Sequence, residues 1–217
     1  MKQRNQTKKR MNAEARRAQI VEVATSLFAK KGFKGTTTRE IAEKAGISEA
    51  IIFRHFSKKE ELYSAIVNGK CSDKDGQSLL LKVLEGKRGR DVFREVATYL
   101  ITEHSKDPAF MRLLTYSALE EHRLSEIFMK TRGMELIGYL EAHLRELMND
   151  GLIREVNPTI AARAFMGMVL HYSMSQEIYG LKKFSKSPIE EVVETFVDIF
   201  FQGVERRAEW KRVEAGI

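Results

Sequence analysis

The chain is poor in the residues that interrupt helices. It has three prolines and fourteen glycines in 217 residues, and no alternating strand pattern bounded by turn residues. A single cysteine, Cys71, rules out an intrachain disulfide and fits a reducing compartment, where an ordinary free thiol is expected. No apolar run approaches the roughly 20 residues of a membrane span. The richest stretch, Ala161–Leu170, is broken by Arg163. The first twelve residues are polar and basic with no apolar region behind them, so no signal peptide and a cytoplasmic location are expected. Paired cysteines, a phosphate loop and a nucleophile elbow are also missing. His55, His104, His122, His143 and His171 have no partner at metal-ligand spacing, so neither a metal, a cofactor nor an enzymatic activity is expected.

What is abundant is Leu, Ala, Glu, Lys and Arg at a period near 3.6, which predicts an all-α protein. The charge is unevenly placed. Residues 1–60 hold 15 Lys and Arg against 6 Asp and Glu, whereas the remainder holds 22 against 24. A basic N-terminal end on a near-neutral body suggests a polyanion partner, the alternative being a solvated basic surface. Residues 1–12 form a polar arm with Lys2, Arg4, Lys8, Lys9 and Arg10 that could reach DNA or serve equally as a solubilising tail.

The next segment carries the strongest local signals. Ile20, Ala24, Leu27 and Phe28 give one stripe on a helix over Ala13–Lys31, ended by Gly32. Thr37 and Glu40 form a capping box for a second helix. Gly46 permits a sharp turn, and Ser48 is placed to cap a third helix, Glu49–Phe56. Ser57 and Glu60 form a second box opening a fourth. Ile41, Ala42, Ala45, Ile47, Ile52 and Phe56 are expected inside. Residues 37–56 therefore read as a helix-turn-helix, which places its second helix in the DNA major groove. Glu49, Ala50, Ile51, Phe53, Arg54 and His55 should face outward. Thr37, Thr38, Arg39, Ser48, His55 and Lys59 lie where phosphates could be held. Ile51 could touch a thymine methyl, and Glu49 could accept from a cytosine amino group or simply favour the first helical turn.

At these residues the chain resembles the TetR family of bacterial transcription regulators. The likeness rests on TTREIAEKAGISEAIIFRHFSKKEEL and, upstream, IVEVATSLFAKKGFKGTT, and covers roughly residues 14–74. It implies DNA contacts at Thr38, Arg39, Glu49, Ala50, Ile51, Phe53, His55 and Lys59. Two positions depart from the family pattern: Phe53 where Tyr is usual, and Ile51 where a small or hydroxylated residue is more common.

The expected organisation is a basic arm (1–12), a three-helix DNA-binding domain (13–60) and a larger C-terminal domain (61–217), about nine helices in all. In the C-terminal part, CSDKDGQS (71–78) should interrupt the fourth helix, with a short continuation over Leu79–Leu84. Helices are predicted over Asp91–Lys106, Ala109–Glu121, Ser125–Asp150, Pro158–Tyr179 and Pro188–Trp210. By resemblance this domain binds an effector and dimerises. Its apolar helices suit a four-helix interface, so Ala161, Ala164, Gly167, Val193, Phe196, Val197 and Phe200 are candidates for the dimer contact, or for an ordinary monomer core. A dimer would present two reading heads about 34–36 Å apart to a palindromic double-stranded operator. Met111, Tyr116, Phe128, Met134, Tyr139, Phe165, Met168, His171 and Tyr172 are candidates for an apolar effector pocket, although Met and aromatics at helical spacing are more often core. The expected function is a homodimeric repressor released from DNA by a small hydrophobic or aromatic ligand. The other reading is a ligand-independent architectural or partner-binding protein on the same scaffold.

Overall fold

The computed structural model describes residues 12–71, 82–121 and 123–205, and these are all-helical. The arm, the 71–78 break beyond Cys71, the first half of the 79–84 continuation, His122 and the predicted extension to Trp210 lie outside the described residues. The helices are α1 (Ala13–Lys31), α2 (Thr38–Ala45), α3 (Glu49–His55), α4 (Lys59–Cys71), α5 (Arg90–Lys106), α6 (Pro108–Leu119), α7 (Arg123–Phe128), α8 (Met134–Asn149), α9 (Pro158–Glu177) and α10 (Ile189–Val204).

Local chemistry explains most boundaries. Asn12 accepts from the Ala15 amide and starts α1. Pro108 and Pro158 occupy first-turn positions, with Asp107 and Asn157 as caps. The long helix expected over 125–150 is not uniform. A π turn at Met129–Gly133 separates α7 from α8. The last described helix stops at Val204, where Glu205 turns extended and bridges to Ile153.

Two apolar cores result. The first contains Ile20, Ala24, Phe28, Ile41, Ile52, Phe56, Leu62, Tyr63 and Ile66, joined by Leu113 of α6 and bordered by Phe110, Ile127 and Phe128. The N-terminal core therefore runs past residue 60 and recruits side chains from far along the chain. The second is built by α5, α8, α9 and α10, with Phe93 at its centre against Phe165, Phe200 and Phe201. Edge-to-face and offset rings at about 5 Å add to the stabilisation from area burial.

Candidate nucleic-acid interface

The helix-turn-helix is fixed by its own sequence. The Thr37 side chain accepts from the Glu40 amide, and the Glu40 carboxylate accepts from Thr37, closing the capping box. The Lys31 ammonium, 2.6 Å from Glu40, and the Thr37 amide hold that carboxyl down at about 2. Gly46 is left-handed at φ 66°, ψ 37°, and lets α3 leave α2 sharply. The Gln19 amide donates to Ala45 O at 3.2 Å and ties that turn to α1. Ile52 and Phe56 are buried, with the Arg17 guanidinium 4.7 Å over the Phe56 ring.

With those residues inside, α3 turns Ala50, Phe53 and Arg54 to solvent, and leaves Glu49, Ile51 and His55 half-buried. Phe53 is 48% exposed, unusual for a large ring with no partner to cover it. Thr37, Arg39 and Ser48 are also exposed. Ser48 occupies the N-cap position but makes no capping hydrogen bond, contrary to expectation. Thr38 donates its hydroxyl to Glu49, so these two candidates also brace α2 against α3. Arg39 pairs with Glu43 at 3.0 Å on the open surface, a contact easily exchanged for a phosphate.

Lys59 has partners within the module. Its ammonium donates to Phe33 O and Thr36 O, both at 2.8 Å, and lies 4.1 Å over the Phe33 ring. Two carbonyls and a ring face hold the charge against the loop between α1 and α2, so Lys59 braces the module in the DNA-free chain. In the second capping box, Ser57 pairs with Glu61, not Glu60.

Sequence reasoning missed the tie between the N-terminal helices and α6. The Glu120 carboxylate accepts from the backbone amides of Phe33 at 3.0 Å and Lys34 at 3.2 Å. The Tyr116 hydroxyl donates to Lys30 O at 3.3 Å. Gly32, at φ 72° and ψ 177°, opens the space for this clasp, in a conformation distinct from the left-handed helical cap. Tyr63 donates to Leu113 O at 3.3 Å, and burial pushes its phenol up to about 12. No periodicity announces contacts between residues more than eighty apart.

The pocket candidates do not converge. Phe165 is fully buried in the aromatic core, and Tyr116 and Phe128 belong to the N-terminal side, Phe128 packing on Phe110 at 5.4 Å. His171 is exposed beside Ser175, and Met134 is exposed. Met111 is buried, Tyr139 lies 4.4 Å from His143, and half-buried Met168 and Tyr172 flank the second core, Tyr172 against Phe196. The dimer candidates divide. Val193, Val197 and Phe200 are buried against α5 of the same chain, so the main stripe of α10 is core and not interface. Phe196 and Ala161 are half-buried, whereas Ala164 and Gly167 are exposed. Among the described residues no group of His, Cys, Asp or Glu gathers to hold a metal, and no helix is long and apolar enough to cross a membrane.

Residues 20–66 match the family model of bacterial regulatory proteins of the tetR family, and residues 90–203 match the C-terminal domain of AefR-like transcriptional repressors. The chain belongs to the TetR family. It is a DNA-binding transcription regulator, and its helix-turn-helix is the reading head of that family. The HTH-type regulator YvkB of Bacillus subtilis (strain 168) is 29% identical over 187 residues, 85% of this chain and 95% of YvkB. The nucleoid occlusion factor SlmA of Alteromonas mediterranea is 24% identical over 181 residues, 81% of this chain and 89% of SlmA. Among solved structures, AibR in complex with isovaleryl coenzyme A and operator DNA superposes with a TM-score of 0.68 at 24% identity, over 85% of this chain and 97% of AibR, a likeness of TetR fold.

Proposed function

We propose that this regulator is a homodimeric, cytoplasmic repressor without enzymatic activity, released from a palindromic operator by a small apolar ligand. The observation that carries the reading is the outward face of α3. Ala50, Phe53 and Arg54 are exposed while Ile52 and Phe56 anchor the helix from behind. Arg39 and the hydroxyls of Thr37 and Ser48 flank that face as phosphate partners. Ile51, half-buried, is the side chain to meet a thymine methyl. For the dimer, support comes from α9, whose exposed side bears Ile160, Ala164, Gly167 and Leu170, with Ile199 exposed on α10. A Cβ added at Gly167 meets nothing within 4 Å in its own chain, so the small residue leaves room for a second helix. The effector reading is supported by AibR, a neighbour in fold that takes an acyl thioester together with operator DNA.

The test is selection of bound fragments from the host genome, then anisotropy titration on the recovered site. Expected are a palindromic site bound by two chains, and a dimer in sedimentation that Gly167→Arg converts to monomer. Random DNA bound as tightly as the recovered fragments would refute sequence reading. The likeness to SlmA favours a second reading, an architectural DNA-binding protein needing no ligand. Operator binding unmoved by every compound of a broad library would favour it.

A further inference from the structure

The connection between α9 and α10 gathers three lysines within five residues around one phenyl ring. Gly180 is left-handed at φ 78°, ψ 20°, and turns the chain into a single 3-10 turn, Leu181–Lys183. The turn is fixed by its own backbone. The Lys183 amide donates to Gly180 O at 3.1 Å, and the Phe184 and Ser185 amides donate to Leu181 O at 2.9 and 3.0 Å. Its root is fixed as well. Lys182 pairs with the buried Glu177 carboxylate, and the Arg112 guanidinium of α6 donates to Glu177 O at 2.7 Å. The connection is therefore a shaped frame tied to α9 and α6.

Against the end of α5 this frame bounds a hollow of about 800 Å³, within the roughly 300–1,000 Å³ of small-ligand sites. Ser105 of α5 lines one side, and Lys182, Lys183, Phe184, Ser185 and Lys186 line the other. No carboxylate is among them. The Lys182 charge is met by Glu177, whereas Lys183 and Lys186 are exposed, and among the described residues neither has an ion-pair partner. Phe184 is 85% exposed, so its ring is open to a ligand. Apart from that ring the lining offers no apolar wall, which rules out a fatty chain. Free ammonium groups, hydroxyls and one open aromatic face suit a ligand that is multiply anionic at one end and flat at the other.

We infer that this hollow binds a nucleoside diphosphate group, its base stacked on Phe184 and its phosphates held by Lys183 and Lys186. Ammonium groups pair with phosphate oxygens as point charges, and the Ser105 and Ser185 hydroxyls donate to the oxygens that remain. Stacking on a phenyl ring accepts any base, because every base has a π face. The site is separate from the reading head and from the apolar effector proposed above. A free nucleotide and the nucleotide end of a larger cofactor share this chemistry.

The test is calorimetric titration of the full chain with ADP, coenzyme A, adenosine and pyrophosphate. The tighter of ADP and coenzyme A is expected to bind at least tenfold more tightly than adenosine or pyrophosphate, because each of those fragments makes only one of the two contacts. If coenzyme A is the tighter, the source is a larger cofactor; otherwise it is a free nucleotide. The double variant Lys183→Ala/Lys186→Ala should weaken the tighter probe at least tenfold. Phe184→Leu, which keeps an apolar side chain but loses the π face, should weaken it at least about fivefold, and Phe184→Tyr should restore it. These side chains are exposed, so the thermal midpoint of the free protein should not move, and lost binding is separated from lost folding. No binding of either nucleotide probe, adenosine or pyrophosphate binding as tightly as the better of them, or binding indifferent to the lysine pair or to Phe184→Leu would overturn the inference. Binding to the basic reading head alone would show as indifference to all of these variants, and would overturn it too.

Discussion

Gly32 and Glu120 make a quantitative case for how the reading head is held to the rest of the chain. A Cβ at residue 32 would lie 2.5 Å from Glu120 Oε1 and 3.1 Å from Tyr116 Cδ1. Gly32→Ala therefore costs twice. Its backbone region is essentially glycine-only and costs about 1–3 kcal/mol for another residue. Displacing Glu120 also frees two amides that now donate to a carboxylate. Such bonds are worth about 1.5–3 kcal/mol each, and here nearer 1 because the Lys34 side is exposed to water. The single variant should lose about 3–5 kcal/mol. In a Glu120→Ala background the clash with the carboxylate and the loss of its two bonds vanish, the tight Tyr116 contact stays in both backgrounds, and Gly32→Ala should cost only about 1–3 kcal/mol, a coupling of roughly 2 kcal/mol. Urea unfolding of the four proteins measures it. Equal costs in both backgrounds would show that the clasp contributes nothing beyond backbone geometry.

Lys59→Ala should lower stability by about 1–3 kcal/mol, through two lost carbonyl bonds and a ring contact, while leaving the salt dependence of operator binding unchanged. Arg39→Ala should reduce the slope of log affinity against log salt by about 0.9 with little effect on unfolding, and a reversal of these two behaviours would refute the assigned roles. Ile51→Ala should change which base is preferred at one operator position while random-sequence affinity stays constant, as read by competition binding. The Glu40 carboxyl titrates at about 2 in the folded chain, below its ordinary value. Its contribution to stability is therefore complete above the unfolded pKa and is lost as pH falls toward 2. A side-chain carbon titration by NMR with a midpoint near 4.5 would refute the assignment.

The parts of the fold legible in the sequence are those whose causes lie within a few residues. Thr37 and Glu40 are three apart, and Gly46 marks its turn by the absence of a side chain. Amphipathicity on α10 says only that a face is covered, not by which chain. Val193, Val197 and Phe200 turned out to be covered by α5 of their own chain. Lys59 carried a charge in a basic region, and nothing local distinguishes an ammonium bound for phosphate from one bound to carbonyls twenty-three and twenty-six residues earlier. Glu120 was equally silent, because its meaning depends on helices that meet only after folding.

The π turn at Met129–Gly133 has a consequence for how the chain tolerates change. Before it, Ile127 and Phe128 serve the N-terminal core; after it, Ile137, Leu140, Leu144 and Leu147 serve the second. The turn works as a phase shifter between two gears cut on one shaft. Removing a single residue there would restore a smooth α-helix and rotate one set of teeth by about 100° out of mesh. Substitutions at exposed Lys130 should be borne easily, whereas a one-residue deletion should cost the protein one of its two cores.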